Sequence, residues 1–145
     1  MYAMTRPRYD EHGTEFGSWV RKPKELQSKL GFIATDLDYI WENYKTGAFM
    51  LIEEKRYMSQ MTWSQRGQLE RFDKYMLGNP KYCGFHLLQF EKTNPDDGNI
   101  FWNGDSITTA ELIEKLQFKN LDKAGFFHKN KKSLNQLIQQ QTTKA

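Results

Sequence analysis

A chain of 145 residues with 38% hydrophobic, 14% aromatic and 27% charged side chains can bury one sizeable core and is too short for two comfortable domains. That balance excludes a disordered or fibrous chain, and the longest apolar run, Ala48 to Ile52, is far too short for a membrane span. The net charge of +3 permits contact with nucleic acid without demanding it, and the lone Cys83 excludes an internal disulfide.

Residues 1 to 14 are polar and read as an arm. Glu15 to Val20 suits a short helical turn. Pro23 suits the first position of a longer helix, with Leu26 and Leu30 on one face and Gly31 as its stop. Phe32 to Trp41 and Ala48 to Lys55 read as two strands joined by the turn-forming Asn43-Tyr44-Lys45-Thr46-Gly47. Thr62 and Gln65 match a capping box that opens a helix to about Leu77, expected to bury Leu69, Phe72 and Met76. Tyr82 to Phe90 reads as a buried central strand. A turn at Asn94 to Gly98 precedes a short strand at Ile100 to Trp102, and Thr108 with Glu111 opens a last helix to about Leu116. The expected organisation is an arm over 1–14, one domain over 15–120, and a helical, basic tail over 121–145. The fold class is α/β, with a mixed central sheet flanked by helices.

The chemistry sits in the hairpin. Charges inside strands as apolar as Asp38-Tyr39-Ile40-Trp41 and Met50-Leu51-Ile52-Glu53-Glu54-Lys55 need compensation. With the turn centred between Lys45 and Thr46, Asp38 falls opposite Glu53 and Asp36 opposite Lys55. Strand parity then puts all four on one face and Glu54 on the other. A slip of one residue would scatter the set. Two facing carboxylates call for a positive charge between them, and hard oxygen ligands suit Mg²⁺ or Mn²⁺. The other titratable residues form no such set. His12, His86 and His128 lie far apart, and His86 reads as a hydrogen-bonded core residue.

An acid leading an apolar strand, a turn, apolar-apolar-Glu53-x-Lys55 on the partner strand and then a helix resembles the PD-(D/E)XK nuclease superfamily. The resemblance covers about residues 15–92 and departs from the motif in having Leu37 where the proline stands. It implies a restriction-endonuclease-like core with a short first strand near Phe32 to Ala34. It also implies a Mg²⁺- or Mn²⁺-dependent deoxyribonuclease, endonucleolytic rather than exonucleolytic. Asp38 and Glu53 would be its metal ligands, with Asp36 a rival ligand, and Lys55 would assist the nucleophile. Gln68 or Gln65 would supply the polar residue of the following helix, and Glu15 or Glu25 a carboxylate from the first. Implied partners are DNA, a divalent metal and a second copy of the chain as a homodimer. Lys129, Lys131 and Lys132 are candidates for DNA-backbone contact, against the plainer reading of a solvated surface. The lone cysteine and the lack of a leader lead to a cytoplasmic expectation. The alternative function is a catalytically silent nucleic-acid-binding or protein-interaction module on the same fold.

Overall fold

A computed structural model describes residues 14–128. The described backbone forms two compact units, residues 14–36 with Thr62–Leu69, and Leu37–Met61 with residues 70–128. In the first unit, α1 (Glu15–Val20) begins at Thr14, whose hydroxyl accepts the Gly17 N–H at 2.9 Å. The helix expected from Pro23 to Leu30 is instead a pair of 3₁₀ turns, Lys24–Leu26 and Ser28–Leu30, separated by an extended Gln27. Eight residues with two leucines bury too little to offset the cost of an α-helical nucleus. No strand forms at Phe32 to Ala34, so the short first strand implied by the resemblance is absent among the described residues.

The second unit holds the sheet. Its strands are β1 (Tyr39–Glu42), β2 (Phe49–Lys55), β3 (Tyr82–Phe90), β4 (Ile100–Trp102) and β5 (Asp105–Ile107), in the spatial order β1-β2-β3-β4-β5. All neighbours are antiparallel except β2 and β3, which run parallel. The parallel pair is made possible by the intervening helix α2 (Trp63–Met76), since parallel neighbours need a crossover. The architecture is therefore α/β with a five-stranded mixed sheet. No helix among the described residues is long and apolar enough to cross a membrane.

Alternation gives the sheet two distinct faces. On one, Met50, Ile52, Cys83, Leu88, Phe90, Ile100 and Trp102 pack with Leu112 of α3 (Thr109–Leu116), which opens on the Thr108–Glu111 capping box. Trp102 is thus core, as is His86. The His86 ring stacks on Trp102 at 4.8 Å and bonds Cys83 O through Nε2 at 2.8 Å and Asn103 Nδ2 through Nδ1 at 3.0 Å. Because Asn103 Oδ1 accepts the Leu87 N–H, its amide nitrogen faces the ring. Nδ1 is then the acceptor and Nε2 carries the proton, and burial lowers the pKa to about 4.

The opposite face carries Leu51, Glu53, Phe85, Leu87 and Gln89. Phe85 stacks on Phe127 at 5.0 Å, so packing continues past the expected domain limit at residue 120. On α2 the buried residues are Gln65, Leu69 and Asp73, a stripe rotated from the expected one. Phe72 is exposed because Asp73 takes the inward position and accepts a short hydrogen bond from the Tyr82 hydroxyl.

A bulge sets the phase of β3. Phe49 pairs with Tyr82 but Leu51 with Phe85, so β3 carries one extra residue there. Gly84 absorbs it at φ +97°, where a Cβ would lie 2.5 Å from Lys123 O. Gly125, at φ +78°, passes so close to β3 that a Cβ would lie 2.4 Å from Phe85 O. Gly84→Ala and Gly125→Ala should each lose about 2–4 kcal/mol of unfolding free energy, combining left-handed strain with a backbone clash. Gly104→Ala, at φ +90° in open space, should lose only about 1 kcal/mol. Urea midpoints of the three variants check the ranking.

Candidate metal and phosphodiester site

The site starts from the turn. Asn43 closes it through its N–H to Ala48 O at 2.9 Å, while its own carbonyl accepts from Gly47 N at 2.8 Å. Its side chain accepts the Lys45 N–H at 3.0 Å. These bonds fix the register Tyr39↔Ile52, Ile40↔Leu51, Trp41↔Met50 and Glu42↔Phe49. Continued one residue beyond the ladder, the same register sets Asp38 against Glu53, as the turn composition predicts. The ladder ends there. The extended stretch expected from Phe32 is unpaired up to Asp38, so no strand pairing carries Asp36 to Lys55.

Asp38 and Glu53 meet as carboxyls. Glu53, 1% exposed, hydrogen-bonds the Asp38 side chain and the Asp38 backbone N–H. Asp38 is itself exposed and is oriented by the Glu54 N–H, which donates to its Oδ2 at 2.8 Å. Burial, and then the neighbouring Asp38 carboxylate, push the Glu53 pKa up to about 8, while the Lys55 ammonium pulls it the other way. Lys55 is half-buried and pairs along the parallel ladder with Gln89, whose Nε2 donates to Ser59 O at 3.0 Å.

Parity separates the adjacent acids. Glu54 faces the other side, where it accepts from the Tyr39 hydroxyl at 3.2 Å and pairs with Arg56 at 3.6 Å. There it borders an apolar cavity of about 290 Å³ together with Trp41, Ile52, Leu88 and Leu112. It therefore does not belong to the Asp38–Glu53 pair.

The residues brought together are Asp38, Glu53 and Lys55. The other candidates belong to the first unit. Glu15 is exposed in the first turn of α1, and Asp36 is exposed at the unit's end. Gln65 is buried, and its N–H is capped by Thr62 Oγ1 at 3.2 Å. Gln68 donates to Ile33 O at 3.2 Å, and its buried Oε1 has no hydrogen-bond partner. Lys129, Lys131 and Lys132 lie outside the described residues. The sequence reading missed Gln89. A lone amide beside Leu87, Leu88 and Phe90 was the available signal, but the neighbour it serves is visible only once the parallel register is known.

The donor set fits a hard divalent cation in kind. Two carboxyls forced together hold a proton in place of a cation, and a doubly charged ion would relieve the same repulsion. Among the described residues no group of three or more His, Cys, Asp or Glu side chains is arranged to hold a metal. A cation held by two carboxylates keeps positions for water and phosphate oxygens, as Mg²⁺ commonly does. No family model, curated protein or solved structure matches the chain.

The raised Glu53 pKa predicts a pH dependence of stability in metal-free buffer. Between about 4.5 and 8 the folded chain keeps a proton that the unfolded chain has released. This contribution is complete below about 4.5 and is lost as pH rises towards 8. Urea midpoints from pH 5 to 9 should fall with pH in the parent, and Glu53→Gln should flatten that slope.

Proposed function

We propose that the chain is a metal-dependent nuclease of restriction-endonuclease-like fold that hydrolyses phosphodiester bonds in DNA. The observation that carries this reading is the meeting of Asp38 with the buried Glu53, on the face of β2 that also bears Lys55. Burying an acid beside another acid costs stability, and such expense concentrates at functional sites. Asp38 and Glu53 would hold Mg²⁺ or Mn²⁺, which when bound supplies Lewis acidity towards the phosphate and a water of lowered pKa.

The chain's own groups divide the remaining work. The Glu54 N–H holds the Asp38 carboxylate in one orientation. Leu51 and Leu87, both buried on the Glu53 face, keep bulk water away from the inner carboxyl. Lys55 presents a fixed positive charge on the same face, suited to a non-bridging phosphate oxygen or to the charge that develops during hydrolysis. With Gln89 beside it in the ladder, its stem is constrained along one side.

On this reading, Asp38→Asn and Glu53→Gln each lower Mg²⁺-dependent cleavage of labelled DNA by roughly 10³ or more, since each removes a charged ligand. Lys55→Ala lowers it by roughly 10²–10³. The parent should gain thermal stability with millimolar Mn²⁺, and Glu53→Gln should not. Gel assays on linear, circular and four-way-junction DNA, with Mg²⁺, Mn²⁺ or EDTA, measure the first effects, and thermal melts measure the last. Metal-indifferent melting together with uncut DNA would instead favour the silent binding module.

A further inference from the structure

Strand parity directs three neighbouring strands at one hollow. Tyr39 and Trp41 of β1, Ile52 and Glu54 of β2, and Leu88 and Phe90 of β3 share the α3 side of the sheet. α3 does not cover them completely. Its Leu112 and Leu116 and the loop residue Pro95 border the apolar cavity of about 290 Å³ that is left. All of these residues belong to the second unit. Ile52, Leu88 and Phe90 are buried beneath the cavity, whereas Tyr39 and Trp41 stand at its rim, 49% and 42% exposed.

Two features of the lining go beyond packing. The rim rings are held by their polar ends. The Trp41 indole N–H donates to Leu116 O at 2.7 Å, and the Tyr39 hydroxyl donates to Glu54 Oε2 at 3.2 Å. With those ends engaged, what the two side chains offer a ligand is ring surface. The second feature is an acid in an apolar wall. Glu54 is the one charged group among the described lining residues, and its side chain is only 18% exposed. Such burial is costly without a good partner. Arg56 lies 3.6 Å away with 64% of its own side chain exposed, and exposed pairs of this kind are weak. The field at the rim stays negative. The Glu54 carboxylate, through its charge and then its hydrogen bond, raises the Tyr39 phenol pKa, and Arg56 opposes this only slightly.

Size and charge together specify an occupant. A cavity of roughly 150 Å³ lined by aliphatic and aromatic side chains takes up benzene. The volume here, about 290 Å³, admits one ring with a short chain. A carboxylate beside two aromatic rings selects a cation at the end of that chain. We propose that the cavity binds a small organic cation, with an apolar ring against Leu88 and Phe90 and an ammonium held by the Glu54 carboxylate and the Tyr39 and Trp41 rings. The inference takes nothing from the Asp38–Glu53 pair on the opposite face of the sheet.

The test titrates the full chain with three probes of matched size, phenylpropylamine, phenylpropanol and phenylpropionate. Calorimetry gives the affinities, and proton–nitrogen correlation spectra locate the binding. The amine should bind about threefold to thirtyfold more tightly than the alcohol, and the carboxylate more weakly than either. The Trp41 indole N–H signal should shift with the amine, while that of Trp63, 82% exposed on the first unit, should stay in place. Glu54→Gln keeps the side-chain size and an oxygen for the Tyr39 hydroxyl. It should bring the amine and the alcohol within about twofold of each other and leave the alcohol's own affinity unchanged. The probe series on the parent needs no variant, so the selectivity and its location decide the matter even where Glu54→Gln fails to fold. No binding of the amine, equal binding of the three probes, or a response at Trp63 without one at Trp41 overturns the proposal. A folded Glu54→Gln chain that keeps the preference for the amine overturns it as well.

Discussion

The register of one short hairpin is the constraint on which the rest depends. Only when Tyr39 pairs with Ile52 does Asp38 reach Glu53, and only then do Tyr39 and Trp41 fall on the side where Glu54 and α3 wait. A shift of one residue would turn Glu53 into the core beneath α3 and carry Ile52 to the carboxylate face. The turn at Asn43 supplies part of that specification through five local hydrogen bonds. The Trp41 indole supplies another, reaching Leu116 O at 2.7 Å from the edge of the sheet. The hairpin is thus locked at both its closed end and its edge.

The sheet exploits the difference between its two faces. One is closed by α3 over an aliphatic and aromatic cluster, with a neutral histidine held inside by complementary partners. The other admits a carboxyl and the amide of Gln89 among hydrophobic neighbours. A buried imidazole with both nitrogens satisfied adds rigidity without reactivity. A buried carboxyl pressed against a second one stores an unfavourable interaction that a cation can release. The same sheet therefore carries one polar group with both partners settled and another, the Glu53 carboxyl, whose burial beside Asp38 raises its pKa.

Elements governed by local chemistry were legible in the sequence. The hairpin turn, both capping threonines and the continuous strand Tyr82 to Phe90 follow from short-range rules, and so does the facing of Asp38 and Glu53. What was not legible depended on distant partners. Phe32 to Asp38 has strand-like alternation, but extended chain becomes strand only beside another strand, and none among the described residues pairs with it. The inward face of α2 was misplaced because Asp73 outranks Phe72 once the Tyr82 hydroxyl is available. β5 is three residues long and begins with Asp-Ser, which carries no hydrophobic period. Nothing in Arg56-Tyr57-Met58-Ser59 announces the left-handed backbone of Tyr57 and Met58, with φ of 53° and 56°, since no glycine, asparagine or aspartate stands in it. The Tyr57 and Met58 N–H groups donate to Lys92 O and Phe90 O, and these bonds impose that conformation.

The extra residue at Gly84 works as a phase switch written into a single strand. Upstream of it, Tyr82 belongs to the carboxylate face and Cys83 to the α3 face. Downstream, Phe85 resumes the first assignment and His86 the second. Two neighbouring stretches of β3 thus obey the same alternation out of step by one. Length changes in this strand have unequal meanings as a result. Trimming the bulge would leave either Tyr82 or the whole Phe85 to Phe90 stretch addressed to the wrong layer. The number of residues from Tyr82 to Phe90 therefore specifies the two layers as much as their identities do.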